Sequence, residues 1–125
     1  METATVTQKV SLYERLGGEH VVRKIVNDTL DKNLKNPLIG HHFQNIDMDN
    51  LKRLVFEFFS MGTGGPGQYT GRDMPSSHKH LKLTEQDYQS SNSDLLEALR
   101  ENGIPEPEQK EVIALLDTMK ADVIS

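Results

Sequence analysis

Wherever this chain is periodic over a long stretch, its apolar residues recur three and four apart, and no long stretch alternates apolar with polar residues. That spacing predicts helices and leaves no strand candidate, so the expected fold class is all-α. Val22, Ile25, Val26, Thr29 and Leu30 form one stripe on a helix expected over 19–34. Leu51, Leu54, Val55 and Phe58 form a second, over 48–61, which Phe56 and Phe59 broaden beyond half the circumference. A third helix carries Tyr88, Leu95, Leu96 and Leu99, and a last one Val112, Ile113, Leu115, Leu116 and Met119.

Helix starts and stops punctuate these stripes. Ser11 with Glu14 reads as a capping box before a short helix, Leu12 to Leu16, that stops at Gly17-Gly18. Asn36-Pro37 ends the next helix, and a turn follows that delivers Phe43 beside His41 and His42. Asp47 and Thr84 are the expected caps of the two helices that follow, and Asn102-Gly103 closes the second of them. Residues 62–71 hold five Gly and a Pro in ten positions, which excludes a helix or a central strand. That stretch reads as a flexible link. The ten residues before Ser11 carry no stripe and are expected to be a mobile extension of one domain spanning 11–125.

The chain of 125 residues is long enough for one core, but at 35% hydrophobic content it has little to spare. A bound apolar group would supply part of what is missing. A net charge of −5 argues against nucleic acid or an anionic membrane as partner. No apolar run approaches a membrane span, no signal-peptide core precedes Ser11, and Cys is absent. A cytoplasmic protein is the expectation.

His78 is the residue with the sharpest chemical potential. It follows Gly71-Arg72-Asp73-Met74-Pro75-Ser76-Ser77 and precedes Lys79-His80-Leu81. Without Cys no thiolate site is available, but a lone imidazole suffices for a single axial bond to haem iron. Taken alone, such a His is more often a solvated surface residue. Gly64-Gly65-Pro66-Gly67 lacks the Gly-Lys-Ser/Thr ending of a phosphate loop, and Ser77 has no nucleophile elbow.

Several short motifs in one order remove the ambiguity. Leu12-Tyr13-Glu14-Arg15-Leu16-Gly17-Gly18, Ile46-Asp47-Met48, Gly64-Gly65-Pro66, Tyr69-Thr70-Gly71-Arg72, and Met74 followed by His78 stand at the spacing of the group I truncated haemoglobins. From Ser11 to Ile124 the chain resembles that family. The resemblance implies a truncated globin fold, a two-over-two helical sandwich enclosing one haem b, with His78 as the iron ligand. The free N–H of His78 would then be held by a nearby carbonyl, with Met74 four residues earlier as its source. His80 would point elsewhere on a helix.

The same resemblance places Phe43 against the haem plane. Leu51, Leu54, Val55, Phe58, Met74, Leu81, Leu83 and Tyr88 become cofactor-lining candidates. Arg72 is a candidate for a haem carboxylate, as are Lys52, Arg53 and Lys79, although solvation is the default for exposed cations. His41 and His42, in a turn, are expected to face solvent, with a contact at the haem rim as the lesser alternative.

One departure from the family bears on function. Relatives hold bound oxygen with a Tyr on the second helix and with Gln, Thr or His on the next. The matching positions here are Leu30, Leu51 and Leu54, so the ligand pocket is expected to be apolar. Thr29 lies about 100° around the helix from Leu30. No His or Lys occupies the positions that could close the iron, since Lys52 and Arg53 lie off the 51/54/55/58 face. The expectation is a five-coordinate iron that binds a diatomic gas (oxygen, carbon monoxide or nitric oxide) reversibly, in transport or sensing, on a monomeric chain. No catalytic residue stands out. The competing reading is a haem redox enzyme acting on nitric oxide or nitrite with an external reductase, and the missing distal acid–base group counts against it.

Overall fold

The computed structural model describes residues 10–71 and 82–123. Most of the N-terminal extension lies outside them, as do Arg72, Met74, His78, Lys79, His80 and Leu81. Among the described residues the order is α1 (Leu12–Leu16), α2 (Gly18–Lys35), a 3-10 turn (Gly40–Phe43), α3 (Met48–Gly62), α4 (Glu85–Glu101), α5 (Glu106–Asp117) and a final short turn α6 (Lys120–Val123). The fold is all-α, as the periodicity requires.

The anticipated N-caps form, although the return bond from Glu14 that would complete the box at Ser11 does not. Ser11 Oγ accepts from Glu14 N at 3.1 Å, and Asp47 Oδ1 accepts from Asn50 N at 3.2 Å. Thr84 and Asp87 make a reciprocal capping box, with both bonds at 3.1 Å. Between α1 and α2 the chain reverses at Gly17, whose φ is +121°. A Cβ there would sit 2.6 Å from Val21 Cγ2, so glycine is required on two counts.

α2 is the spine of the molecule, packed against α1, α3 and α4, while α5 closes on α1 and α4. The α2–α3 and α4–α5 pairs are the two layers. Val22, Ile25 and Val26 from α2 meet Leu95 and Leu99 of α4 and Val112 of α5 in a core that excludes water. Phe59 brings α3 into it. A half-buried polar seam reinforces the α2–α4 contact. Asn33 and Asn36 both donate to Asp94 Oδ2, at 2.8 and 3.0 Å, and Asn36 also reaches Ser90 Oγ at 2.8 Å. Sharing one carboxylate between two amides satisfies Asn33 at 4% exposure.

Two expectations differ from the structure. The last helix ends at Asp117, three residues short of Lys120, and resumes as a separate turn. Thr118 caps the break, with its N and Oγ1 both donating to Leu115 O at 3.2 and 2.6 Å. The Gly-rich segment is also pinned at both ends. Tyr13 N donates to Thr63 O at 2.8 Å, and Thr70 N and Oγ1 both donate to Glu57 Oε1, at 3.0 and 2.7 Å. Glycine lets the chain turn sharply there, and hydrogen bonds to α1 and α3 then fix the turn.

Candidate haem cleft

α3 is the most apolar helix by sequence, yet only Phe59 and Ser60 are buried on it. Leu51, Leu54, Val55 and Phe58 remain half-buried. They form one wall of a cleft of about 530 Å³ between α3, α2 and α4. That volume lies within the range of roughly 300–1,000 Å³ usual for small-molecule and cofactor sites.

The cleft collects the sequence candidates that lie among the described residues. Leu30, Phe43, Leu51, Leu54, Val55, Phe58, Leu83 and Tyr88 all line it. Arg72, Met74, Leu81 and His78 lie outside the described residues. The sequence reading missed Val26 and Leu95, which the stripes on α2 and α4 would have offered as cleft candidates, and Ile39, which caps the 3-10 turn and belongs to no stripe. It also missed Tyr69, brought in by the clamp of Thr70 on Glu57 and set edge-on to Phe58 with ring centres 5.3 Å apart.

Thr29 is a refinement. It stands about 100° from Leu30 on the helix, but the cleft is wide enough that both residues line it. Its hydroxyl donates to Ile25 O at 2.8 Å, within its own helix. With the proton committed to that carbonyl, Thr29 presents only acceptor lone pairs.

His42 corrects an expectation. His41 is exposed, but the His42 side chain is 14% exposed and lines the cleft. The 3-10 turn rotates successive residues by about 120°, so His41 faces out as His42 and Phe43 face in. The Nε2 of His42 is buried without a hydrogen-bond partner, and the Asp87 carboxylate stands 3.8 Å away. A buried polar atom of this kind calls for a partner.

Of the cations noted for haem carboxylates, Arg72 and Lys79 lie outside the described residues, and Lys52 and Arg53 are engaged elsewhere. Lys52 Nζ pairs with Asp31 at 2.7 Å. Arg53 bonds Glu57 at 2.8 Å and Asn50 at 2.7 Å. At the opposite end, the Tyr88 hydroxyl donates to Asp117 Oδ1 at 2.7 Å, tying α4 to α5. Burial first, and then the Asp117 carboxylate, push the Tyr88 phenol above its ordinary pKa, so it stays protonated.

A half-exposed apolar wall, a facing floor of aliphatic side chains and one unfilled polar position fit a flat apolar group with carboxylates on its rim. Haem has that shape and chemistry. Comparison with known proteins decides the family. The bacterial-like globin family model matches residues 11–125. This chain belongs to that family. As a bacterial-like globin its cofactor is haem iron, and it is a haem-binding, gas-binding globin. The group 1 truncated hemoglobin GlbN of Synechocystis sp. is 33% identical over 109 residues, covering 84% of this chain and 88% of that one. The group 1 truncated hemoglobin of Tetrahymena pyriformis is 28% identical over 114 residues, with 91% and 94% covered. The crystal structure of the latter in its Fe(III) form superposes with a TM-score of 0.90 over 93% of this chain and 99% of that one. The 2/2 hemoglobin of Synechococcus sp., in the cyanomet state with covalently attached heme, gives 0.86 at 27% identity over 92% and 98%.

Proposed function

We propose that this globin binds a diatomic gas reversibly at a five-coordinate ferrous haem, with His78 as the protein ligand and an apolar distal side. The observation that carries this reading is the environment of Leu30, Leu51 and Leu54. They line one cleft, and the neighbouring hydroxyl of Thr29 is already donated to Ile25 O. Oxygen bound to ferrous haem draws negative charge onto its outer atom and is retained by a hydrogen-bond donor. Carbon monoxide and nitric oxide depend less on one. A wall of leucines therefore shifts preference toward these two gases relative to oxygen.

The same wall weighs against turnover. Conversion of nitric oxide by a stored oxygen complex needs that complex to last, and peroxide cleavage gains from a distal acid–base group. Transport, storage and sensing need the same site. A monomeric, cytoplasmic protein suits each role. Among the described residues no helix is long and apolar enough to cross a membrane.

Replacing His78 with Gly tests the assignment. The haem-loaded variant should lose the histidine–iron spectrum and recover it on addition of imidazole. An unchanged spectrum in His78→Gly would place the iron on another residue.

A further inference from the structure

Residues 62–71 leave the end of α3 with five glycines among them. Glycine loses more conformational freedom on ordering than any other residue, so a segment of this composition is costly to fix in place. Its first half is tied close to α3. Gly65 N donates to Ser60 O at 2.7 Å, and Ser60 Oγ donates to Pro66 O at 3.0 Å. Past that point the chain swings outward. Gly67 and Gln68 are exposed, and a Cβ on Gly67 would meet nothing within 4 Å. Yet the next residue, Tyr69, is turned back into the cleft and stands edge-on to Phe58.

The chain is caught again at Glu57. One carboxylate oxygen, Oε1, accepts from both the N–H and the hydroxyl of Thr70, at 3.0 and 2.7 Å. The other, Oε2, accepts from Arg53 at 2.8 Å, one turn earlier on α3. Arg53 is braced in turn by Asn50 Oδ1 at 2.7 Å. The bonds from Thr70 first, and then the Arg53 charge, hold the Glu57 carboxyl below its ordinary range, so the acceptor is ionised at neutral pH. Hydrogen bonds to an ionised acceptor are stronger than those between neutral groups. Glu57 precedes Phe58 and is turned about 100° from it around the helix. The clamp therefore grips the segment on the flank of α3, while Phe58 meets the Tyr69 ring on the cleft side.

We propose that Glu57 is a positioning residue for the cofactor. By holding Thr70 against α3 it keeps the Tyr69 ring seated on Phe58 as part of the cleft wall, and so slows the escape of haem. The inference rests on the haem-binding reading above. Glu57 itself does not line the cleft, so it acts through Thr70 and Tyr69 and not by touching haem.

The test measures haem loss. Haem-loaded ferric protein is mixed with excess apomyoglobin, which captures released haem, and the transfer is followed by absorbance. Glu57→Ala should speed the loss by roughly 10-fold, the weight of a hydrogen bond to a charged group. Glu57→Gln keeps an acceptor oxygen for Thr70 and should recover most of the retention. Thr70→Val, which removes the hydroxyl and keeps the N–H, should speed the loss less than Glu57→Ala does. The route through the ring is read from a double-mutant cycle with Tyr69→Ala: once the ring is gone, Glu57→Ala should add little. Unchanged haem loss in Glu57→Ala overturns the proposal. So does a Glu57→Gln variant as leaky as Glu57→Ala, because the acceptor oxygen would then not be what matters. A full effect of Glu57→Ala on top of Tyr69→Ala also overturns it, by making Glu57 a general support of the fold. Failure of the unaltered chain to take up haem overturns the function reading itself, and would be seen before apomyoglobin is added.

Discussion

Leu30 offers the sharpest quantitative test of the apolar cleft. It is 6% exposed and lines the cleft beside Leu51 and Leu54. The perturbation is a pair, Leu30→Tyr and Leu30→Phe, which differ only by a hydroxyl. Both overfill a leucine site, so both should cost stability, by about 1–3 kcal/mol. Their difference isolates the hydrogen bond. A donor to the partial charge on bound oxygen contributes about 1.5–3 kcal/mol, which converts to a roughly 10- to 100-fold longer oxygen residence. Stopped-flow displacement of oxygen by carbon monoxide reads that rate directly. Carbon monoxide dissociation should change far less, because its bound form carries less charge. Equal oxygen release from Leu30→Tyr and Leu30→Phe would refute the reasoning, since the cleft would then already hold a donor.

Other perturbations probe the frame that builds the site. Leu99 is fully buried where α4 meets the core, so Leu99→Ala should destabilise by about 2–5 kcal/mol in urea unfolding. Gly17→Ala combines a φ of +121° with a clash on Val21, and should lower the melting temperature more than a compatible Gly→Ala change would raise it. Asp94→Ala strips the buried Asn33 amide of its acceptor and should cost about 1–3 kcal/mol. Acid should also weaken the fold. Hydrogen bonds hold carboxyls below their usual range: Thr70 on Glu57, Lys120 on Glu85, Lys32 on Glu97 and Arg15 on Glu111. Groups depressed in the folded state stabilise it above their unfolded pKa of about 4.3, and that contribution is lost as pH falls further. The urea midpoint should therefore fall between pH 5 and pH 3, and a flat profile would contradict it.

The helices were legible because each stripe and its cap lie within a dozen or so residues of sequence. Ser11, Asp47 and Thr84 announce helix starts through local hydrogen bonds, and Gly17 and Asn102 announce stops. The cleft was partly legible for the same reason, since Leu51, Leu54, Val55 and Phe58 share a helix face that the core does not consume. What escaped was set by tertiary contact. The burial of His42 depends on how the 3-10 turn meets the start of α4, beside Asp87. The entry of Tyr69 into the cleft depends on Thr70 reaching Glu57 across 13 residues. The Tyr88–Asp117 bond joins residues 29 apart, and no local pattern pairs them. The break after Asp117 escaped because the apolar spacing runs through it to Met119, and Thr118 interrupts the helix by bonding back to Leu115.

The central claim is a haem iron held on one side by the protein and open on the other. The absorption spectrum of stoichiometrically loaded protein, ferrous, before and after carbon monoxide, tests it most directly. The account predicts a five-coordinate ferrous spectrum that converts to a histidine–iron–carbonyl form. A six-coordinate ferrous spectrum before any gas is added would contradict it, by showing that a side chain already closes the iron.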